Sequence, residues 1–194
     1  KRQDYGKHEN YMDRQIHRWT KQYKDSETQM IPEINELIEW LPKNIPSDQE
    51  TTIVHGDFRL DNMIFDPITH EVKAILDWEL STLGNPIADF TYHMMSWRLP
   101  AGAKGLGMMG SDLKSLNIPS ENEYAELYYK KTGREKIDNW DFYMAYNIFR
   151  LAGIAQGIVG RVRDGTASSS EAKNYEAFVP ILGKLGWSIV EGIK

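Results

Sequence analysis

On either side of residues 51–80, apolar side chains recur every three or four positions, whereas inside that stretch they fall in short, β-branched runs. Thr51-Thr52-Ile53-Val54, Met63-Ile64-Phe65 and Val72-Lys73-Ala74-Ile75-Leu76 read as three short strands. Asp66-Pro67-Ile68-Thr69-His70 begins with turn formers, so the second and third runs form a hairpin. One small β unit set among helices gives an α+β fold dominated by helix. Met12, Ile16, Trp19 and Tyr23 mark a first helix from Tyr11 to about Tyr23. Ile31, Ile34, Leu37, Ile38 and Leu41 mark a second, with Pro32 in its first turn and Pro42 at its end. Further helices are expected from Pro86 to Trp97, from the capping box Ser120-Glu121-Asn122-Glu123 to Gly133, and from Asp138 or Asn139 to about Arg163. A last helix opens at Ser168–Ser170, and Pro180 predicts a kink or break in it.

The 194 residues suit one domain, and 41% hydrophobic with 26% charged residues excludes disordered and fibrous classes. The absence of cysteine removes disulfides, zinc ribbons and thiol catalysis. No apolar run approaches the ~20 residues of a membrane span. A net charge of −5 argues against a nucleic-acid partner, which usually meets a basic surplus. Lys1 to Asn10 is polar, without signal core or transit composition, and reads like the middle of something longer.

The β unit carries the residues that chemistry could use: His55, Asp57, Arg59, Asp61, Asn62, Asp77 and Glu79. Asn62 begins the hairpin and Asp77 ends it, so doubling back makes them neighbours, with Asp57 a few residues upstream. Hard oxygens in this arrangement suit Mg²⁺, which takes one or two carboxylates and fills its shell with phosphate and water. His-x-Asp-x-x-x-x-Asn followed by an Asp one hairpin later is a kinase-type layout. With 5 His, 13 Asp and 10 Asn, chance supplies about 0.02 such patterns. Singly, His55 reads as a core histidine, Asp57 and Asp61 as turn residues and Asn62 as a cap. Asp77, directly after Ala74-Ile75-Leu76, is expected at the edge of the core.

His55-Gly56-Asp57-Phe58-Arg59-Leu60-Asp61-Asn62, then Ile75-Leu76-Asp77-Trp78-Glu79 through Gly84-Asn85-Pro86 and Asp89, resembles the aminoglycoside phosphotransferase and choline kinase superfamily. More narrowly, the chain is similar to the phosphotransferase domain that animals fuse to acyl-CoA dehydrogenases. The likeness extends to Arg14-Gln15-Ile16, Trp40-Leu41-Pro42 and Asn139-Trp140. It implies a kinase-like fold, ATP as phosphoryl donor, Mg²⁺, and a small-molecule hydroxyl acceptor, with a hydroxyacyl compound favoured over an antibiotic. Asp57 would be the base that orients the acceptor hydroxyl, and Asn62 and Asp77 would ligate the ion bridging the ATP phosphates. His55 would brace the loop together with Asp89. Arg59 would balance carboxylates, meet an anionic substrate or form a loop salt bridge, and Trp78 and Glu79 are candidate substrate contacts. A covalent fusion to a dehydrogenase domain is a further implication. So is an intracellular site, mitochondrial or peroxisomal if the fusion resemblance holds and cytoplasmic otherwise.

The resemblance also implies an amino-terminal nucleotide lobe, which residues 1–50 do not resemble. The chain is therefore expected to be a carboxy-terminal lobe, inactive or nearly so alone. Residues 1–50 form a helical entry, 51–80 the catalytic loop and metal hairpin, and 81–194 a helical substrate subdomain. The competing class is a pseudokinase-like binding module that keeps the fold without transfer. Gly105-Leu106-Gly107-Met108-Met109-Gly110 matches a dinucleotide motif but follows no strand, so a mobile loop is the better reading; by analogy with related kinases it could border the acceptor pocket. Trp140, Phe142, Tyr143, Tyr146 and Phe149 are at helical spacing and read as core, with an aromatic wall for a cationic acceptor as the alternative.

Overall fold

Helices enter first and leave last, and the strands between them are short. The computed structural model describes residues 6, 9–47, 50–102, 107–166 and 172–193. Helix α1 (Tyr11–Ser26) buries the expected stripe of Met12, Ile16, Trp19 and Tyr23. Helix α2 (Pro32–Trp40) starts on its proline and buries Ile34 and Leu37. Then come β1 (Thr52–Val54), β2 (Met63–Phe65), β3 (Val72–Ile75) and β4 (Thr82–Gly84). Strands β2 and β3 pair antiparallel as the predicted hairpin, with Met63 opposite Ile75. The sequence reading did not include β4. It pairs antiparallel with β1, Val54 opposite Thr82 and Thr52 opposite Gly84, so one two-stranded sheet encloses the other in the chain. This nesting pinches residues 55–62 against residues 76–81.

Asn85 caps α3 (Pro86–Met94), its Oδ1 accepting the Ile87 and Ala88 N–H groups at 2.8 and 3.1 Å. A 3₁₀ turn, Met95–Trp97, completes the expected span. Helix α4 (Glu121–Thr132) has both hydrogen bonds of its capping box, and Gly133 ends it at φ 69°, a left-handed position where glycine carries no Cβ penalty. Helix α5 (Trp140–Arg163) lies at the centre, packed on α1, α3 and α6 (Ala172–Ile193). Its aromatic residues Phe142, Tyr143, Tyr146 and Phe149 are buried, the core role expected of them. Of the expected kink or break, the break does not occur: helix α6 continues through Pro180. Buried Phe178, Val179 and Leu182 anchor it there, and such burial offsets the hydrogen bond the proline removes. The expected opening at Ser168–Ser170 lies outside the described residues. Among the described residues no helix is long and apolar enough to cross a membrane.

Candidate active site

The backbone of His55 and Gly56 leaves β1 and meets the Asp89 carboxylate on α3. Asp89 Oδ2 accepts the His55 N–H at 2.7 Å and Oδ1 the Gly56 N–H at 2.9 Å. Burial raises the pKa of this carboxyl, and the two N–H donors oppose that rise. Asp89 thus braces the loop through its backbone, while the His55 side chain turns elsewhere. His55 Nε2 lies 2.7 Å from the Leu76 carbonyl, and Nδ1 accepts the Asp57 N–H at 3.2 Å. A carbonyl only accepts and an N–H only donates, so these two partners fix the tautomer with the proton on Nε2. The buried imidazole therefore ties the loop carrying Asp57 to the residue before Asp77.

Asn62 ends a 3₁₀ turn, Leu60–Asn62, that leads into β2. Its Nδ2 donates to the Asp57 carbonyl at 2.9 Å and to Asp57 Oδ2 at 3.0 Å. The antiparallel ladder continues past β2–β3, the Leu76 N–H donating to the Asn62 carbonyl at 2.8 Å. Asn62 is thus directly opposite Leu76, one residue short of the expected pairing with Asp77. Asp77 is exposed, which corrects the expectation of a residue at the core edge: its neighbours Leu76 and Trp78 are exposed too, so the apolar run before it ends in solvent. Its backbone is the unusual feature, left-handed at φ 61° and ψ 54°. A non-glycine residue there is uncommon and such strain concentrates at functional sites.

The remaining predicted residues separate. Arg59 is half-buried and forms the loop salt bridge, to Asp61. Burial works against its charge, but the Asp61 hydrogen bond and charge outweigh it and raise the pKa. Trp78 is partly exposed, donates Nε1–H to the Ile75 carbonyl at 2.8 Å and lays its ring 4.7 Å from that of His55. Glu79 is exposed on the 3₁₀ turn Trp78–Leu80.

Beside this loop opens a cavity of about 310 Å³, lined by Arg59, Tyr92, His93, Met95, Trp97 and Tyr124 among others. Tyr92 and His93 were not among the predicted residues, although they follow Asp89 by three and four positions on one helix and so share its face. Burial raises the Tyr92 pKa, opposed by Arg150, with the Asp57 carboxylate acting in the same direction as burial. Burial lowers that of His93, whose ring sits among Phe58, Phe90, Trp97 and Tyr124 at centroid distances of 5.6–6.3 Å. Met108, from the glycine-rich segment, also lines this cavity, and its N–H donates to the Ser96 carbonyl at 2.8 Å. Gly105 and Leu106 lie outside the described residues.

The donor set can be tested for a cation. Among the described residues, no group of three or more His, Cys, Asp or Glu gathers at metal-binding distance. A site with one or two carboxylates and an amide oxygen needs no such group. Both hydrogens of the Asn62 amide are turned to Asp57, which leaves Oδ1 as its free hard donor. The set fits Mg²⁺, an ion that keeps waters and phosphate oxygens in most of its shell.

A mostly helical body with small antiparallel sheets and this strand–loop–hairpin is a kinase-like phosphotransferase fold. The phosphotransferase enzyme family model (APH) matches residues 1–127, more than half of the chain, and the chain belongs to that family. A Ralstonia eutropha crystal structure solved as a candidate aminoglycoside phosphotransferase superposes with a TM-score of 0.92 at 50% identity, over 97% of this chain and 58% of that one. Mouse acyl-CoA dehydrogenase family member 10 is 46% identical over 184 residues, 94% of this chain and 17% of the mouse protein. Human acyl-CoA dehydrogenase family member 11 is 39% identical over 184 residues, 24% of its length. The chain thus spans about a fifth of the curated relatives it matches.

Proposed function

We propose that the chain supplies the phosphoryl-transfer lobe of an ATP- and Mg²⁺-dependent kinase acting on the hydroxyl of a small molecule. The observation that carries this reading is the Asn62 amide: it spends both hydrogens on Asp57, so one residue orients the base and keeps an oxygen for a cation. Asn62 Oδ1 and the Asp77 carboxylate would hold Mg²⁺, which when bound neutralises charge on the transferring phosphates. The Asp57 carboxylate orients the acceptor hydroxyl and takes its proton, and Asn62 holds that carboxylate through Oδ2. His55 and Asp89 keep the loop and the hairpin end in register. Catalysis of this kind is chiefly positioning.

The acceptor would enter the cavity beside Arg59 and Tyr92. Its walls are largely aromatic and thioether, and the one acidic residue among the described lining, Asp61, is already paired with Arg59. Such a wall favours an apolar body over a polycation, which supports a hydroxylated acyl compound over an aminoglycoside. The likeness to acyl-CoA dehydrogenase family members supports the same choice and a fusion to such a domain, with the mitochondrial or peroxisomal location that would follow.

The test is ATP binding and ADP release by the full-length protein. Binding that requires Mg²⁺ and is lost in Asp77→Ala, with ADP release on a hydroxyacyl acceptor lost in Asp57→Asn, is the expected result. ADP release that persists in Asp57→Asn overturns the reading. Residues 1–194 alone are expected to turn over ATP weakly or not at all, and ordinary kinase rates from them would refute the lobe assignment.

A further inference from the structure

Arg150 lies mid-helix in α5 between Phe149 and Leu151 and is only 6% exposed. It makes no ion pair among the described residues, and its buried Nε has no hydrogen-bond partner among them. A guanidinium is charged at any working pH, and burying one without a contacting carboxylate is costly. What it does contact is the catalytic loop: Nη2 donates to the Gly56 carbonyl at 2.5 Å. Its Cζ lies 4.2 Å from the Tyr92 ring centroid and 5.3 Å from that of Trp19.

Gly56 is a demanding place to hold. Its φ is +83°, and a Cβ there would stand 2.5 Å from the Leu80 carbonyl oxygen. The conformation that turns the chain from His55 to Asp57 is open only to glycine, which has no side chain to fix it. Its peptide groups are fixed from outside, by opposite charges on two helices. The Asp89 carboxylate takes the N–H from α3, and the Arg150 guanidinium gives to the carbonyl from α5. Asparagine Asn147, one turn before Arg150, ties those helices together by donating Nδ2 to the Ala88 carbonyl and Thr91 hydroxyl, both at 2.9 Å.

We infer that Arg150 is a positioning residue for phosphoryl transfer, holding the Gly56 carbonyl so that the turn presents Asp57 to the acceptor at a fixed place. This rests on the phosphotransferase reading, because the advantage of a fixed Asp57 is catalytic. A misplacement of about 1 Å can lower a rate on the order of 10²-fold, and a flexible glycine turn without its clamp permits one.

Two readouts in the full-length protein separate this inference from the reading it rests on. Hydrogen exchange over residues 55–62 reports the clamp whether or not phosphate is transferred. Steady-state kinetics report its consequence. Arg150→Met is expected to lose roughly tenfold protection in that loop while α1 and α6 stay protected. Its kcat should fall roughly 10²-fold with the KM for ATP within about twofold, and Arg150→Lys should recover kcat to within about tenfold of wild type. Arg150→Leu, equally unable to donate to the carbonyl, serves if the methionine variant does not fold, and the same loss of protection is expected. Unchanged loop exchange in Arg150→Met or Arg150→Leu overturns the clamp, and faster exchange with kcat unchanged overturns the positioning role. If Asp57→Asn leaves turnover intact while the exchange effect stands, the phosphotransferase reading fails and the structural clamp remains.

Discussion

Helix α5 and the β2–β3 hairpin are built on opposite plans. Around α5, aromatic and aliphatic side chains from Phe142 to Val159 are buried on nearly every side. The hairpin leaves Ile64, Phe65 and Val72 exposed, and Ile68 at its tip is 86% exposed. A lone two-stranded ribbon is marginal in water. Its fixed end is the base, where the Leu76 N–H reaches Asn62, His55 Nε2 reaches the Leu76 carbonyl and Trp78 Nε1 reaches Ile75. The candidate chemistry stands at that base, and the folding energy resides mostly in the helices. Substitutions away from Asp89 and Arg150, which hold the turn from the helices, should therefore separate reactivity from stability.

The largest separation is expected from Asp57→Asn. Loss of a general base, the role proposed for Asp57, costs about 10²–10⁴-fold in rate. The melting temperature should stay close to wild type, since Asn keeps the shape of a half-exposed side chain. Steady-state turnover and a thermal melt on the same sample check both halves. The opposite case is Phe149→Ala in the fully buried centre of α5. Such truncations cost about 3–5 kcal/mol, read by urea denaturation, and the surviving folded fraction should keep its kcat. A kcat that falls with the stability of Phe149→Ala would show that loss of core packing reaches the site through the neighbouring Arg150.

How much of this was legible in the sequence follows the same divide. The strand–loop–hairpin could be read because its signals are local: a change of period, a turn opening on Asp66-Pro67, and His55, Asp57 and Asn62 at fixed spacing. The α4 capping box could be read for the same reason. Strand β4 could not, because three residues ahead of Asn85-Pro86 show no period and become a strand only on meeting β1. Arg150 left a trace, a charge inside an apolar helix, but its partner is 94 residues away. The exposure of Asp77 was misjudged because Ala74-Ile75-Leu76 looked like core. An apolar run says that a strand can form, not that anything covers it.

A smaller effect is expected at the entrance to α4. Ser120 caps the helix and Glu123 returns the bond, so Ser120→Ala should cost about 1 kcal/mol by urea denaturation. The site should not register it, because α4 bears on the cavity mainly through Tyr124, whose packing on Trp97 at 5.1 Å is retained. The next effect is a pH slope. The folded pKa of Asp89 lies above its ordinary 3.8, chiefly through burial. Folding then favours the protonated acid, so its contribution is fullest below pH 3.8 and is lost as pH rises through the higher folded value. The stability of wild type relative to Asp89→Asn should accordingly decline as pH rises through that window. A gap that widens instead would mean that the His55 and Gly56 N–H groups stabilise the anion more than burial penalises it.

The smallest effect belongs to the hairpin tip, and it bears most directly on the contrast. If the ribbon draws its order from its base alone, Ile68→Thr removes an apolar side chain that contributes almost nothing. Stability should then change by less than about 0.5 kcal/mol, the range of an ordinary surface substitution. Turnover should be unaltered, because the tip lies at the far end of both strands from Asn62 and Asp77. A loss above about 1 kcal/mol in the full-length protein would mean that something covers the tip there, since an exposed isoleucine cannot contribute that much by itself. In that case the hairpin would owe its order to a second surface as well as to its base, and the clamps on His55, Gly56 and Leu76 would share the task of placing Asp77.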